Sequence, residues 1–236
     1  MSAPPAVGGL PTGEEKTRRV REIFDAIAPR YELVNHLITL GLDGRWRTRC
    51  VEALALPAGS VILDVAAGTG DLCVVAARLG LRPIAADLSG GMLAERRTPA
   101  PAVQCDVAAL PLADASVDGV VCGFALRNFT DLADAFSELA RVVRPGGRVS
   151  LLEVGAPERR LTRAGFGLWF NRVVPVIGGA LSDSAAYRYL PASVAYLPDV
   201  AALRAALVAA GFSGVNRHLL SGGLSQLYTA TRSGQT

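Results

Sequence analysis

The chain has few of the residues that build metal centres and disulfide frameworks. Its 236 residues include two histidines and four cysteines, and no C-x-x-C pair. We therefore expect no metal, and the cysteines are typical of a reduced, cytoplasmic protein. The net charge is only +3 and no dense basic tract occurs. Nucleic acid binding thus has no electrostatic support from the sequence.

Long apolar runs are also absent. No stretch approaches the roughly 20 apolar residues of a membrane span. Residues 1–11 have neither a basic start nor an apolar segment of signal length, and we interpret residues 1–13 as a flexible tail. Any membrane contact is then peripheral. With 50% hydrophobic residues, the chain can still bury the core of one domain with additions.

The most informative segment that is present is VILDVAAGTGD, residues 61–71. Its short, β-branched beginning predicts a strand buried on both faces, and the LCVVAARLG that follows has helical spacing. Between them, Gly68 and Gly70 allow the backbone to approach a ligand, which would meet the free N–H groups of the new helix. An ordinary βα turn seldom needs two glycines and two flanking acids, so we predict a nucleotide-like ligand.

Two residues of this segment help to define the ligand. A dinucleotide fingerprint requires a third small residue where this chain has Cys73. Asp71 would repel a pyrophosphate at the helix mouth, yet it can accept hydrogen bonds from a ribose or approach an ammonium group. S-adenosylmethionine, a phosphate-free nucleoside with a sulfonium cation, fits these features. The turn alone does not exclude NAD.

The rest of the chain predicts an α/β protein with helices at its N-terminus. Residues 12–15 have the T-x-x-E form of a capping box, and helices are expected from there to Ala28, over 31–40 and over 45–54. These form an N-terminal helical cap, residues 14–56. Seven strands then alternate with helices through 57–232, which predicts a doubly wound, mostly parallel sheet. Residues 155–198 interrupt the alternation as either a lid over the substrate or an extra packed helix pair.

Polar residues follow several of the predicted strands, where open α/β sheets bind ligands. Asp87 ends the second strand and can accept hydrogen bonds from both ribose hydroxyls, although an acid there can also cap a helix. The third strand, VQCDV, is expected to end at Cys105, Asp106 and Val107, where Asp106 and Val107 could meet an adenine or Asp106 could be a solvated loop acid. The fourth strand leads to Arg127 and Asn128, which suit either a substrate contact or a surface salt bridge.

The segment FDAIAPRYELVNHLITLGLDGRWR, residues 24–47, resembles the signature of the ubiquinone/menaquinone biosynthesis C-methyltransferases. That family has the class I S-adenosylmethionine-dependent fold. AAGTGDL, DVAALPLADASVDGVVCGFALRN, RVVRPGGRVSLLEV and SDSAAYRYLPASV also match family blocks. The resemblance runs from about Lys16 to Tyr228.

This resemblance implies S-adenosylmethionine as the cofactor and assigns positions to it. Gly68 and Thr69 lie in the cofactor loop, Asp87 meets the ribose, and Asp106 with Val107 meets the adenine. A further cofactor position falls on Gly123, where serine is usual in the family. With no hydroxyl there, any contact must come from the Gly123 backbone.

The resemblance also implies methyl transfer to a ring carbon of a prenylated quinol. Demethylmenaquinol ranks first, because the alanine, glycine and arginine content suggests a bacterium that makes menaquinone. A methoxy-polyprenyl benzoquinol or another small molecule remains an alternative. Arg127 is the candidate that favours the phenolate, and Asn128 and Tyr31 could orient the ring or relay a proton.

The base and the partners of the chain are less defined by its sequence. His36 is either the base or an exposed helix histidine. Residues 161–181 combine aromatic and apolar residues with two arginines, as expected of a membrane-surface segment or of packed core. The expected partners are the prenylated quinol, a membrane contacted peripherally at its inner face, and a second copy in a homodimer.

Overall fold

The structure is a computed structural model that describes residues 11–155 and 192–234, together with residues 157, 172, 176 and 189. Within those ranges, seven α-helices flank one sheet. They are α1 (Gly13–Ile27), α2 (Tyr31–Ile38), α3 (Leu42–Glu52), α4 (Asp71–Arg78), α5 (Gly90–Ala94), α6 (Leu132–Val142) and α7 (Val200–Ala209).

The sheet has seven strands in the order β3-β2-β1-β4-β5-β7-β6. They are β1 (Val61–Val65), β2 (Arg82–Asp87), β3 (Ala102–Gln104), β4 (Val117–Gly123), β5 (Val143–Val154), β6 (Phe212–Leu220) and β7 (Ser225–Arg232). The first five pair in parallel, and β7 lies antiparallel between β5 and β6. The predicted doubly wound, mostly parallel sheet is confirmed.

Both faces of the central strands are buried, which explains the unbroken apolar run in β1. Ile62 packs with Trp46 and Leu72 in the cluster between the sheet and helices α3 and α4. The next residue, Leu63, packs with Phe136 in the cluster on the opposite face. Successive strand side chains point to opposite faces, so a strand covered on both sides needs apolar residues at every position.

The N-terminal helices form as expected, with differences at their ends. Helix α1 ends at Ile27, one residue before the expected boundary, where Pro29 enters a short 3₁₀ turn. The prediction of a capping box was wrong. Thr12 is the N-cap of α1, but its side chain makes no capping hydrogen bond. Gly13 has φ +57°, and the Thr12 carbonyl, not its hydroxyl, accepts a helix N–H, that of Lys16 at 3.4 Å. Helix α3 starts at Leu42, three residues before the predicted start at residue 45, and directly follows Gly41, which has a left-handed backbone conformation.

Two strand boundaries also differ from the prediction. Strand β3 ends at Gln104, so Cys105, Asp106 and Val107 lie beyond the sheet rather than inside a strand. Residues 144–147, RPGG, have the proline and glycines typical of a turn, but they belong to β5. They form an irregularity in the pairing with β4, and Gly146 has the φ of +78° that the bulge requires.

Most of residues 155–198, the predicted lid or packed helix pair, lies outside the described residues, as does the membrane segment expected at 161–181. At the N-terminus, Pro11 is the first described residue, and its carbonyl accepts a hydrogen bond from the Tyr196 hydroxyl at 2.6 Å. Within the described ranges, no helix has the length and apolar character needed to cross a bilayer.

Candidate active site

A cavity of about 750 Å³, including its opening, lies at the carboxyl ends of β1, β2 and β4. Strands β1 and β4 are neighbours although they are not consecutive, which is the switch point where open α/β sheets bind ligands. The N-terminal helices cover the cavity. Its strand-end lining comprises Val65, Ala66, Gly68, Ala86, Asp87, Leu88, Cys105, Asp106, Val107, Gly123, Phe124, Ala125, Asn128, Phe129 and Thr130, and its helical lining includes Thr17, Val20, Phe24, Tyr31 and Met92.

Two non-glycine residues in the lining have left-handed backbone conformations. Ala66 follows β1 with φ +54°, and Phe124 follows β4 with φ +59°. Such conformations are unfavourable by about 1–2 kcal/mol for a residue with a Cβ atom. Strain of this kind concentrates at binding sites because the chain must leave the sheet at a fixed angle.

Asp87 is fixed at the cavity edge by two backbone amides. Its Oδ2 accepts the N–H of Gly68 at 2.7 Å and its Oδ1 accepts the N–H of Ser89 at 2.7 Å. The cap of helix α5 is the Ser89 hydroxyl, which accepts the N–H of Met92 at 3.0 Å. The carboxylate of Asp87 therefore holds the glycine turn against β2, and its remaining lone pairs border the cavity. Burial raises the pKa of this carboxyl group.

Asp106, Val107 and Gly123 also line the cavity. One Asp106 oxygen accepts the N–H of Ala108 at 2.9 Å, which closes a local turn. A Cβ atom built on Gly123 would lie 3.1 Å from Cδ1 of Leu72, in the helix after the glycine turn. A side chain at position 123 would therefore require the Leu72 side chain to move by a few tenths of an ångström.

Thr69, the remaining predicted cofactor residue, is not in the cavity lining. Its hydroxyl donates to Oε1 of Glu32 in α2 at 2.6 Å. Arg47 of α3 pairs with Oε2 of Glu32 at 3.6 Å, with Oδ2 of Asp71 at 2.7 Å, and with Asp43. This network ties the signature helices to the glycine turn. The carboxylate of Asp71 takes part in this network by pairing with Arg47.

The burial of Glu32 and its proximity to Asp71 raise the pKa of the Glu32 carboxyl group. Sequence reasoning missed this network. The signal was available, because Glu32 and Arg47 fall inside the signature segment, but helical spacing does not show which side chains from separate helices meet.

Tyr31 and Asn128 both line the cavity, as their predicted contact with the acceptor requires. The Tyr31 ring packs edge-on against Phe24 with centroids 5.9 Å apart, and it lies beside the Gly68 turn. Burial raises the pKa of the Tyr31 phenol, so the group remains a proton donor at neutral pH. Oδ1 of Asn128 accepts the Tyr189 hydroxyl at 3.3 Å, which orients the amide.

Arg127 lies beside Asn128 in the 3₁₀ helix Leu126–Asn128 but is not in the cavity lining. Its guanidinium pairs with the fully buried Glu153 of β5, and its Nε donates to Oγ of Ser193 at 3.1 Å. Glu153 was missed at the sequence level. Its signal was a single acid inside the apolar strand segment VSLLEV, where a buried charge needs a partner.

His36 lies outside this cavity. Its side chain is 69% exposed on α2, and its Nδ1 is 3.4 Å from Oδ1 of Asp43. Among the described cavity residues, the titratable side chains are those of Tyr31, Asp87, Cys105 and Asp106. Of the two interpretations of His36 from the sequence, base or exposed helix histidine, its position agrees with the second.

Lys16 of α1 holds the helical cover over the cavity, a contact that sequence reasoning missed. Its Nζ donates to the carbonyl of Phe129 at 2.6 Å and lies 3.9 Å from the ring centroid of Tyr196. Beside it, the hydroxyls of Thr17 and Thr130 lie 2.6 Å apart. Burial lowers the pKa of Lys16 to about 8. Helix α1 is thereby fastened to the loop after β4.

The model of the ubiE/COQ5 methyltransferase family matches residues 12–232. This chain belongs to that family. The methyltransferase is 40% identical over 220 residues to the demethylmenaquinone methyltransferase of Thermus thermophilus, with 89% of this chain and 100% of that relative covered. It is 36% identical over 230 residues to the ubiquinone/menaquinone biosynthesis C-methyltransferase of Geobacter sulfurreducens, with 92% and 90% covered.

Solved structures show the same fold for this methyltransferase. A methyltransferase of Haloferax volcanii bound to its Trm112 activator superposes with a TM-score of 0.65 at 18% identity, covering 89% of this chain and 98% of that one. An S-adenosylmethionine-dependent methyltransferase of Thermotoga maritima gives 0.64 at 18% identity, covering 90% and 99%. The predicted class I methyltransferase fold is confirmed.

Proposed function

We propose that this methyltransferase transfers the methyl group of S-adenosylmethionine to a ring carbon of a prenylated quinol, with demethylmenaquinol as the first acceptor. The observation that carries the proposal is the arrangement of the cavity. Gly68, Asp87 and Asp106 line it from the strand ends, while Tyr31 and Asn128 line it beside them. Relatives at 36–40% identity, named for menaquinone and ubiquinone methylation, support the choice of acceptor.

The residues of the cavity fit the proposed cofactor. The Asp87 carboxylate would hold the ribose hydroxyls, and Asp106 with the Val107 backbone would hold the adenine. The backbone at Gly68 and Gly123 would allow the cofactor to approach closely. Thr69 would then act through the loop backbone, because its hydroxyl is bonded to Glu32. When bound, the cofactor supplies an electrophilic methyl group on a sulfonium cation.

The protein must align the acceptor carbon and make it nucleophilic. Alignment of two reactants can contribute about 7–11 kcal/mol to lowering a barrier. Tyr31 and Asn128 are the proposed positioning groups, with the protonated Tyr31 phenol donating to a quinol oxygen and the Asn128 amide held by Tyr189. Loss of the quinol hydroxyl proton to solvent water raises the electron density of the ring. The ring hydrogen that the methyl group replaces leaves as a proton, and the hydroxyl is restored, so one proton is released overall.

Arg127 remains the proposed source of positive charge that favours the phenolate. Its pairing with Glu153 reduces that charge, so the larger effect we propose for Arg127 is to fix the turn that carries Asn128. The acceptor is lipid-soluble, and we place the enzyme at the cytoplasmic face of the membrane.

An assay with radiolabelled S-adenosylmethionine tests the function. Naphthoquinol and benzoquinol acceptors are compared side by side, and label is expected mainly in the naphthoquinol product. Preferential labelling of the benzoquinol would support the ubiquinone alternative. Label in neither product would refute quinol methylation.

Two variants test the roles of the cavity residues in the same assay. Tyr31→Phe and Asn128→Ala should each lower turnover by about 10²-fold or more, since misplaced reactants lose rates of this order. Binding of S-adenosylmethionine should stay within about threefold of wild type, because the cofactor contacts lie elsewhere. Unchanged turnover would remove the residue concerned from the mechanism.

A further inference from the structure

The outer face of helix α2 carries leucines without a partner in the described part of the chain. Leu33, Leu37 and Leu40 are 56%, 42% and 73% exposed. Leu33 and Leu37 are four residues apart and therefore lie on one side of α2, and Leu40 follows two residues after the helix ends. The opposite side is occupied, since Val34 is fully buried against Ile27 and Met92. An exposed apolar stripe of this kind marks an interaction surface.

Leu40 strengthens this interpretation. It follows the end of α2 with φ +53°, a conformation that is unfavourable for leucine and usual for glycine. Its side chain is also the most exposed of the three, so packing within the described chain does not account for the residue. An interaction outside the protein would account for a leucine here.

The exposed charges close to the stripe along the chain are mostly positive. Between residues 28 and 52 they are Arg30, Arg45, Arg49 and Glu52, and Glu52 pairs with Arg49 at 3.4 Å. The other two acids of this segment, Glu32 and Asp43, are buried in the Arg47 network. An apolar stripe in a segment with an excess of exposed cations matches the surface of a bilayer with anionic headgroups.

The stripe also lies close to the reaction site along the chain. Tyr31, the first residue of α2, lines the cavity. Ile38, the last residue of α2, is seven residues further on, roughly 10 Å along the helix at 1.5 Å per residue, and Leu40 follows it. A helix placed on the bilayer through its leucines would therefore hold the cavity wall next to the layer that contains a prenylated acceptor.

We propose that Leu33, Leu37 and Leu40, with the flanking arginines, form the surface through which this methyltransferase docks on anionic membranes. The proposal rests on the proposed function for the identity of the acceptor. It places membrane contact on the signature helix α2, in addition to the segment 161–181 expected from the sequence.

The test compares the wild-type chain with a triple variant, Leu33→Ser with Leu37→Ser and Leu40→Ser. The matched control replaces three exposed apolar residues elsewhere, Leu79→Ser with Val208→Ser and Leu219→Ser, which are 42%, 59% and 39% exposed. Sedimentation with phosphatidylcholine vesicles, with and without phosphatidylglycerol, measures binding. Circular dichroism and thermal unfolding confirm that each variant is folded, and light scattering gives its oligomeric state.

The wild type and the control should bind the anionic vesicles alike, and more tightly than neutral ones. The triple variant should bind at least about tenfold more weakly, as expected for three lost apolar contacts. Equal binding by the triple variant, equal losses in the control, or no binding by the wild type would overturn the proposal. So would a wild-type dimer that the triple variant converts to a monomer, because a second copy would then cover the stripe.

Activity separates this proposal from the proposed function. With a short-chain, water-soluble quinol, the triple variant should methylate at the wild-type rate, whereas with a long-chain quinol in vesicles it should be slower by about the loss in binding. If no quinol is methylated by the wild type while vesicle binding follows the expected pattern, the proposed function fails and the docking surface stands.

Discussion

The pair formed by Arg127 and Glu153 allows a quantitative test of how the site is held together. Both side chains are buried, at 5% and 0% exposure, and they join the turn after β4 to strand β5. Removing one partner of a buried pair leaves an uncompensated charge and typically destabilises a protein by about 3–5 kcal/mol. Glu153→Gln and Arg127→Met should therefore each lower the free energy of unfolding by that amount.

The double variant should be far less destabilised than the sum of the single ones. Its glutamine has one acceptor oxygen and can keep one of the two backbone hydrogen bonds of Glu153, which come from Arg127 at 3.4 Å and Val154 at 2.8 Å; no buried charge is left unpaired. We expect a loss of about 1–3 kcal/mol, mainly from hydrogen bonds. Urea unfolding followed by circular dichroism measures all four proteins. Additive losses would refute the interpretation of this contact as a buried, mutually dependent pair.

Three further outcomes follow from other contacts. Asp87→Asn should weaken S-adenosylmethionine binding by about tenfold or more in calorimetry, because an amide replaces charge-assisted acceptors; unchanged affinity would contradict the ribose assignment. Gly70→Ala places a Cβ atom 2.6 Å from Thr98 at φ +85°, so urea unfolding should show a loss of about 1–3 kcal/mol beyond that of Gly146→Ala, whose φ is +78° in open space. The folded pKa of Lys16, about 8, lies below its unfolded value of 10.5, so the unfolded state binds more protons between these values. Stability measured against pH should rise through this window in wild type relative to Lys16→Met, and parallel curves would contradict the burial of this amine.

The fold was predictable because its elements are encoded locally. The continuous apolar run in β1 required a strand buried on both faces, and the alternation after Val61 gave the parallel sheet in its correct order of elements. The errors fell where backbone conformation decides the boundary. Gly41 takes a left-handed conformation directly before the early start of α3, and the bulge near Gly146 keeps RPGG inside a strand. Residue type permits such conformations but does not show that they occur.

The strand-end rule also placed most of the candidate site. Gly68, Asp87 and Asp106 are separated along the chain, yet parallel strands bring their carboxyl ends to one edge, where these residues line one cavity. The rule could not give the direction of a side chain after the strand has ended. The Thr69 hydroxyl is hydrogen-bonded to Glu32, and the Arg127 guanidinium forms a salt bridge with Glu153. In both cases the side chain meets a buried carboxylate that belongs to another helix or strand.

These partners explain why the signature segment and the glycine turn belong to one site. Arg47 contacts a carboxylate from α2, one from its own helix and Asp71 at the start of α4. Tyr31 precedes Glu32 and lines the cavity, so the same contacts fix the Tyr31 ring beside Gly68. The signature segment therefore does more than mark the family. It supplies the wall that closes the cavity, the buried charges that hold this wall on the cofactor turn, and the leucines on the outer side of the same helix.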